Sequence, residues 1–536
     1  MRKSSCTLAS VALLALVLAL PARADVILDW NALYVDLIRE ELINPPLASQ
    51  EMAMMNVAIY DAVIGIAGGF ESYADHGPAP AGASMEAAAA AAAHHVLVTR
   101  YPSHKAELDA AYRQVVPAGP VPPAISAGAS WGVQVAVRIL AQRASDGAND
   151  VRDYLSASGA GWWVPTLPNF APALLPHWGS LKPWTMRSGD QFRGEAPPPL
   201  TSAEYAANFD EVYRLGRLDS TERTPDQTEI AKFWDDSAGT SSPPGHWSWM
   251  MQIVSAQEGL SLVENARLFA LLSLASADAG IVAWDMKFHY GHWRPITGIQ
   301  NADQDGNPAT TADPSWQSLL NTPPFPAYTS GHSTFSGASG RVVALFFGRD
   351  DIAFSVPSDG VPGVLRHFES FSAAANEAAR SRIYGGIHWH HDDEVGVETG
   401  RRLGSHVFYN YLRPLDDGPE TCNPAAGHLC LQDGRFAVQA SWRTQDGQEG
   451  VGTPGALSDD SGTFWFFNQD NVELTVKVLD GCAAFDRYWV FASGLTNVEV
   501  VLTVTDTSTG KSRNYLNPMG EAFEAIQDTD AFATCQ

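Results

Sequence analysis

The chain has 536 residues, 45% hydrophobic and 18% charged, which is room for more than one domain and at least one large core. Its formal net charge is −26 at neutral pH. That acidity argues against a nucleic-acid partner and against an anionic membrane surface.

In chain order, the first element has the form of an export signal. Arg2 and Lys3 precede the apolar run VALLALVLAL, and ARA stands just before Asp25. Charge, short apolar core and small-residue cleavage site, in that order, identify residues 1–24 as a signal peptide. The run is short for a membrane span, and no other stretch is read as one. The mature protein is therefore expected to be secreted or periplasmic.

Residues 25–415 are expected to form a large helical bundle. Met52, Met55, Ile59 and Val63 recur at helical spacing, and Gly68-Gly69 follows as a stop signal. SMEAAAAAAAHHVLVTRY is an alanine-rich helix that Ser84 can cap, with His94 and His95 as packing or surface residues. ARLFALLSLASADAGIVAWDMKFHY reads as a long buried helix, and HSTFSGASGRVVALFFG as another with small residues on one side. A Pro- and Gly-rich stretch at 413–430 marks a boundary. Beyond it the period changes to two: Val472, Leu474, Val476 and Val478 alternate with mostly polar residues, as do Val498, Val500, Leu502 and Val504. Residues 416–536 are expected to be a small antiparallel β-sandwich. The mature cysteines, Cys422, Cys430, Cys482 and Cys535, all fall there. Cys422 with Cys430 and Cys482 with Cys535 are the expected pairs, although three pairings are open.

Chemistry concentrates in three blocks. In KFHYGHWRP, Lys287 and Arg294 are seven apart and share a helical face, with the helix expected to end at Arg294 before Pro295. Alone, this block favours a solvated face. In FPAYTSGHSTFSG, Ser330, Gly331 and His332 open a helix, and a Ser-Gly start presents a hydroxyl and backbone N–H groups that suit an oxyanion. An ordinary N-cap fits that block equally well. In SRIYGGIHWHHDD, Arg382 and His388 are six apart, so a straight helix would splay them by about 120°. Gly385-Gly386 lets the chain re-aim the histidine, and Asp392 can take the proton on its second nitrogen. His390 and His391 read as surface or supporting residues. His289 and His292 read as structural, although one could line the pocket. Asp303, Asp305 and Asn307 are spaced like part of a calcium loop but lack its distal glutamate, so a plain turn is preferred to calcium binding. The acidic turn LSDDSG near residue 460 reads the same way.

Together the three blocks resemble the type 2 phosphatidic acid phosphatase (PAP2) superfamily. Its signature falls here on Lys287, Arg294 and Pro295; on Ser330, Gly331 and His332; and on Ser381, Arg382, His388 and Asp392. FPAYTSGH is similar to the FPAYPSGH of the haloperoxidase branch, with Thr329 replacing a proline. FWDDSAGTSSPPGHW resembles the stretch that supplies an aspartate to the anion-site arginines there, with Asp236 the nearest match. The resemblance implies a vanadium-dependent haloperoxidase, with phosphate as a mimic of the vanadate cofactor. Lys287, Arg294, Ser330, Gly331 and Arg382 would hold the vanadate, His388 would be the one ligand to the metal, and His332 would act as acid–base. Lys287 would polarise bound peroxide. The substrates would be hydrogen peroxide and halide, and the product hypohalous acid. Trp284 and Phe325 match an aromatic pair that fungal chloroperoxidases and some bacterial iodoperoxidases carry in the halide pocket. Two other readings are an acid phosphatase using the same pocket, with His388 as nucleophile, and a non-catalytic binding protein acting through the β-domain.

Overall fold

The computed structural model describes residues 25–415 and 421–535. The export segment and the 416–420 junction lie outside the described residues.

Residues 25–415 are mainly helical around a large hydrophobic core that runs from Val26 to Leu412, with a smaller cluster around Phe209, Trp293, Trp316 and Trp389. At its centre lies the helix Leu262–Tyr290, started by a reciprocal cap between Ser261 and Glu264. This helix and Pro123–Arg143 are long and apolar enough to cross a membrane, but the apolar window of Leu262–Tyr290 is 94% buried inside the protein. It is a core helix, packed against Pro45–Ala67 and Gly331–Phe347. The alanine helix Met85–Arg100 begins at Ser84, whose Oγ accepts from Ala87 N at 3.2 Å. All seven alanines from Ala87 to Ala93 are buried, and their small size admits the Pro123–Arg143 helix alongside.

Two of these elements differ from the sequence expectation. The Leu262–Tyr290 helix does not reach Arg294: Gly291, at φ 58°, ends it in a left-handed cap. Arg294 is extended and caps the next helix, Pro295–Gln300, with Pro295 at its first position. Lys287 and Arg294 therefore meet across a helix break. Of the glycine pair, Gly385 stays right-handed at φ −71°, and only Gly386 turns left-handed, at φ 76°.

The helices Gly331–Phe347 and His390–Asn410 make the most extensive contact in the bundle. A Cβ on Gly337 would strike the carbonyl of Val397, one on Gly400 that of Thr334, and one on Gly404 that of Ala338. Backbones thus touch along this seam, which sets Ser330 and His332 at a fixed spacing from His388 and Asp392.

The C-terminal unit is antiparallel, as expected. One open sheet has the order Lys511–Asn517, Glu499–Asp506, Phe436–Arg443 and Leu429–Leu431, with Glu449–Val451 also on Phe436–Arg443. The other runs Ile526–Phe532, Tyr488–Gly494, Leu474–Asp480, Ser461–Trp465 and Thr453–Ser458. Both contribute to one core: Val438 and Val504 from the first, Val478 and Val490 from the second. Val472 precedes its strand and is half exposed, while Leu474, Val476 and Val478 point inward. The disulfides join Cys422 to Cys430 and Cys482 to Cys535. Arg341 with Glu499, and Asn514 Nδ2 donating to the Tyr409 carbonyl at 2.7 Å, tie this unit to the bundle.

Candidate anion site between three chain segments

The three blocks converge on one buried cluster. Lys287 and Arg294 are fully buried, and Arg382 and His388 are each 2% exposed. Arg294 Nε donates to the Phe325 carbonyl at 2.8 Å and Nη1 to that of Ile387 at 2.7 Å. Arg382 Nη1 donates to the Trp234 carbonyl. Lys287 Nζ reaches the carbonyls of Pro326 and Ala327 at 3.1 Å each and of Thr329 at 2.5 Å. Backbone carbonyls thus aim the cations but leave their charge only partly balanced. Burial lowers the Lys287 pKa well below its usual range; Arg294 adds to this, against Asp392 and Asp393. Burial and Arg382 bring Arg294 down to about 9, against Asp392.

His388 carries a defined tautomer. Its Nδ1 lies 2.9 Å from Asp392 Oδ2, which also accepts from Trp389 N at 3.1 Å. On the other side Arg294 Nη1 stands 3.0 Å from His388 Nε2. A guanidinium can only donate, so Nε2 accepts and the proton sits on Nδ1. Burial, Arg294 and Lys287 hold this imidazole well below its usual pKa, against Asp392. The Nε2 lone pair faces Arg294, and that hydrogen bond would have to give way for Nε2 to coordinate a metal.

Ser330 caps the Gly331–Phe347 helix. The His332 ring hydrogen-bonds the Asp235 backbone, and burial, then Arg382 and His388, lower its pKa well below the usual value. Trp284 and Phe325 stack at an angle, with ring centroids 4.9 Å apart. Lys287 Nζ lies 4.9 Å from the Phe325 ring and 5.8 Å from that of Trp284, so the aromatic wall adjoins the cations.

Three buried nitrogens here have no partner among the described residues: Arg294 Nη2, Arg382 Nε and His332 Nε2. Unsatisfied buried donors are costly, and charged ones more so. An oxyanion resting on the arginines would satisfy the two guanidinium nitrogens, His332 Nε2 is left as an acceptor for a ligand proton, and His388 offers a single coordinating nitrogen beside them. The donor set fits vanadate or phosphate.

Other candidate residues lie elsewhere. The Asp236 carboxylate does not reach the arginines: it pairs with His246 Nδ1 at 3.1 Å and acts on Arg382 only through its charge. His390 bridges Glu211 at 2.7 Å and Glu394 at 3.1 Å at the half-exposed rim. His391 lies inside, with Nε2 3.1 Å from Asp392 Oδ1, out of line for a hydrogen bond, and its ring 5.6 Å from His292. Burial and His391 push His292 down to about 3, against Asp392, so it stays neutral. His289 stacks edge-on against Tyr290. In the candidate calcium loop, Asp305 accepts from Asn307 N and Thr310 Oγ1 at 2.7 Å each, and Asn307 donates to the carbonyls of Leu200 and Ser202. Those side chains hold a turn. The acidic turn near 460 is similarly tied, by Ser458 to Asp460 at 2.6 Å. Sequence reading missed Ser333 and Asp393, both buried behind Ser330, and every backbone carbonyl that aims a cation.

The chain is similar to known proteins over this region. A family model described as the VCPO second helical-bundle domain matches residues 267–417. The vanadium chloroperoxidase of Curvularia inaequalis is 29% identical over 292 residues, 42% of this chain and 47% of that protein. The match thus spans about half the length of that curated relative. A structure described as the first bacterial vanadium-dependent iodoperoxidase aligns with TM-score 0.63 and 30% identity, over 73% of this chain and 99% of that one. An apo-type bacterial vanadium-dependent chloroperoxidase aligns with TM-score 0.55 at 16% identity, over 68% of this chain and 94% of the other, and shares the fold alone.

Proposed function

The chain belongs to the vanadium-dependent haloperoxidases of the PAP2-like superfamily, and from that premise we propose that it oxidises halide with hydrogen peroxide on a vanadate cofactor, releasing hypohalous acid. The observation that carries this reading is the pair of unpartnered guanidinium nitrogens beside a histidine whose proton is held on Nδ1, so that Nε2 faces Arg294 as an acceptor.

Vanadate, when bound, supplies a fully oxidised Lewis acid that activates peroxide toward halide. Arg294 and Arg382 bind and orient the anion's oxygens, and Ser330 and the Gly331 N–H add neutral donors. Each charge-assisted hydrogen bond is worth about 1.5–3 kcal/mol net. His388 Nε2 would hold the metal once Arg294 gives up its contact there, and Asp392 keeps the histidine proton on Nδ1. His332 Nε2, unpartnered among the described residues, would take up a proton from hydrogen peroxide and hold it for return to the product. Lys287 lends its charge, and must release one of its three carbonyls to donate to a bound oxygen. Trp284 and Phe325 form an apolar wall that strips water from the halide without offering it a further cation.

The two disulfides support an oxidising location, secreted or periplasmic, after removal of residues 1–24. The core shared by the two C-terminal sheets supports a two-layer sandwich there.

Incubating the protein with vanadate, then assaying peroxide-dependent halide oxidation beside phosphate-ester hydrolysis, tests the reading. Iodide is expected to react fastest, bromide next and chloride slowest, following ease of oxidation and of desolvation. Chloride exceeding iodide at matched concentration and pH would overturn that order. Phosphate release by the vanadate-free protein, with no halide turnover after loading, would make it a phosphatase.

A further inference from the structure

Two buried side chains behind Ser330 have no part in the reaction described above. Ser333 Oγ lies 2.8 Å from Ser330 Oγ and 2.9 Å from Asp393 Oδ1. Asp393 is 4% exposed, and its Oδ2 has no partner among the described residues. Ser330 Oγ already accepts from Ser333 N at 3.3 Å.

Each hydroxyl has one proton, so these distances allow two arrangements. If Asp393 is ionised, Ser333 donates to the carboxylate, and Ser330 turns its own proton inward, to Ser333 or to Asp393. If Asp393 is protonated, it donates to Ser333, Ser333 donates to Ser330, and the Ser330 proton is left for an anion in the pocket. The first arrangement leaves a charged Oδ2 without a donor next to the buried Asp392 carboxylate. The second leaves only a neutral carbonyl oxygen, which costs less.

Resting on the oxyanion reading of the site, we propose that Asp393 is a protonated positioning residue that, through Ser333, turns the Ser330 hydroxyl toward the bound oxyanion. Burial and the Asp392 charge raise the Asp393 carboxyl well above the usual range, against the Ser333 and Ser330 hydroxyls and Arg380. Lys287 and Arg382 are the other charges that feel it. Ionisation of Asp393 would reverse the hydroxyl chain and withdraw one donor from the pocket.

Calorimetric titration of the full chain with orthovanadate, and separately with inorganic phosphate, tests this. Asp393→Asn can offer Ser333 an amide N–H in place of the acid O–H, so its affinity should stay within about threefold of wild type. Asp393→Ala and Ser333→Ala should each lose about tenfold, the worth of one donor. As pH rises through the raised Asp393 pKa, wild-type affinity should fall relative to Asp393→Asn. Taking that ratio cancels titration of the anion and of His388. Circular dichroism checks each fold, and the near-isosteric Asn and small Ser333→Ala changes keep the test open should Asp393→Ala unfold. Asp393→Asn binding tenfold or more weaker than wild type, or Ser333→Ala binding like wild type, overturns the proposal and leaves the oxyanion reading standing. No binding of either anion by wild type overturns both.

Discussion

Two buried polar centres on the helix Leu262–Tyr290 are completed in opposite ways. Asp278, in mid-helix, accepts from Trp184 N at 2.8 Å, Thr185 N at 2.7 Å and Thr185 Oγ1 at 2.5 Å. Two turns and a half further on, Lys287 opens a cluster in which Arg294 Nη2, Arg382 Nε and His332 Nε2 have no partner among the described residues. Both centres lie deep in the protein, so burial alone does not mark function. The distinguishing feature is the unfilled hydrogen-bonding capacity, which in the first centre is spent within the chain and in the second is left for a ligand.

Substitutions can break or sharpen that contrast. The largest effect is expected for His388→Ala, which removes the coordinating nitrogen: halide turnover should vanish and vanadate affinity should fall by more than about a hundredfold, as calorimetry would read. Unchanged affinity would sink the ligand assignment. Next, His332→Ala should keep vanadate affinity within about threefold while turnover drops by about 10²–10⁴, the usual worth of a positioned acid–base. Wild-type rates across pH 5 to 8 would remove His332 from that role. Asp278→Ala should act on stability instead, since it strands buried Trp184 and Thr185 donors: a loss of about 3 kcal/mol in urea unfolding, with vanadate affinity unchanged in the folded protein. If Asp278→Ala weakened vanadate binding as His388→Ala does, the two centres would not be separable. The smallest effect is expected from ending the chain at Pro414, which should change vanadate affinity by less than about threefold. Inactivity of that shortened protein, despite a native helical spectrum, would make the β-unit part of the site.

The sequence made half of this contrast visible. Charged side chains at fixed spacing around Ser-Gly-His and Gly-Gly could be read directly, because their chemistry resides in the residue types. Helix ends were less legible: Arg294 looked like the last residue of the long helix, and the left-handed Gly291 ends that helix sooner. The aiming of the cations could not be read, since Phe325, Ile387 and Trp234 act through backbone carbonyls that any residue would supply. Asp236 was placed by likeness of its neighbourhood, yet His246, on a helix ten residues later, takes its carboxylate. Asp278 sits in an apolar helical run that gives no hint of its three donors, which come from a loop more than ninety residues away.

The glycine seam between Gly331–Phe347 and His390–Asn410 has a consequence for selectivity. Gly337, Gly400 and Gly404 bring backbone against backbone, so the two helices that frame the anion site cannot close further and lose packing if they part. The wall of the proposed anion site that these two helices form is therefore nearly fixed in position. On the proposed reading, vanadate and phosphate should compete for the site on charge and geometry, while larger polyoxovanadates should bind far more weakly.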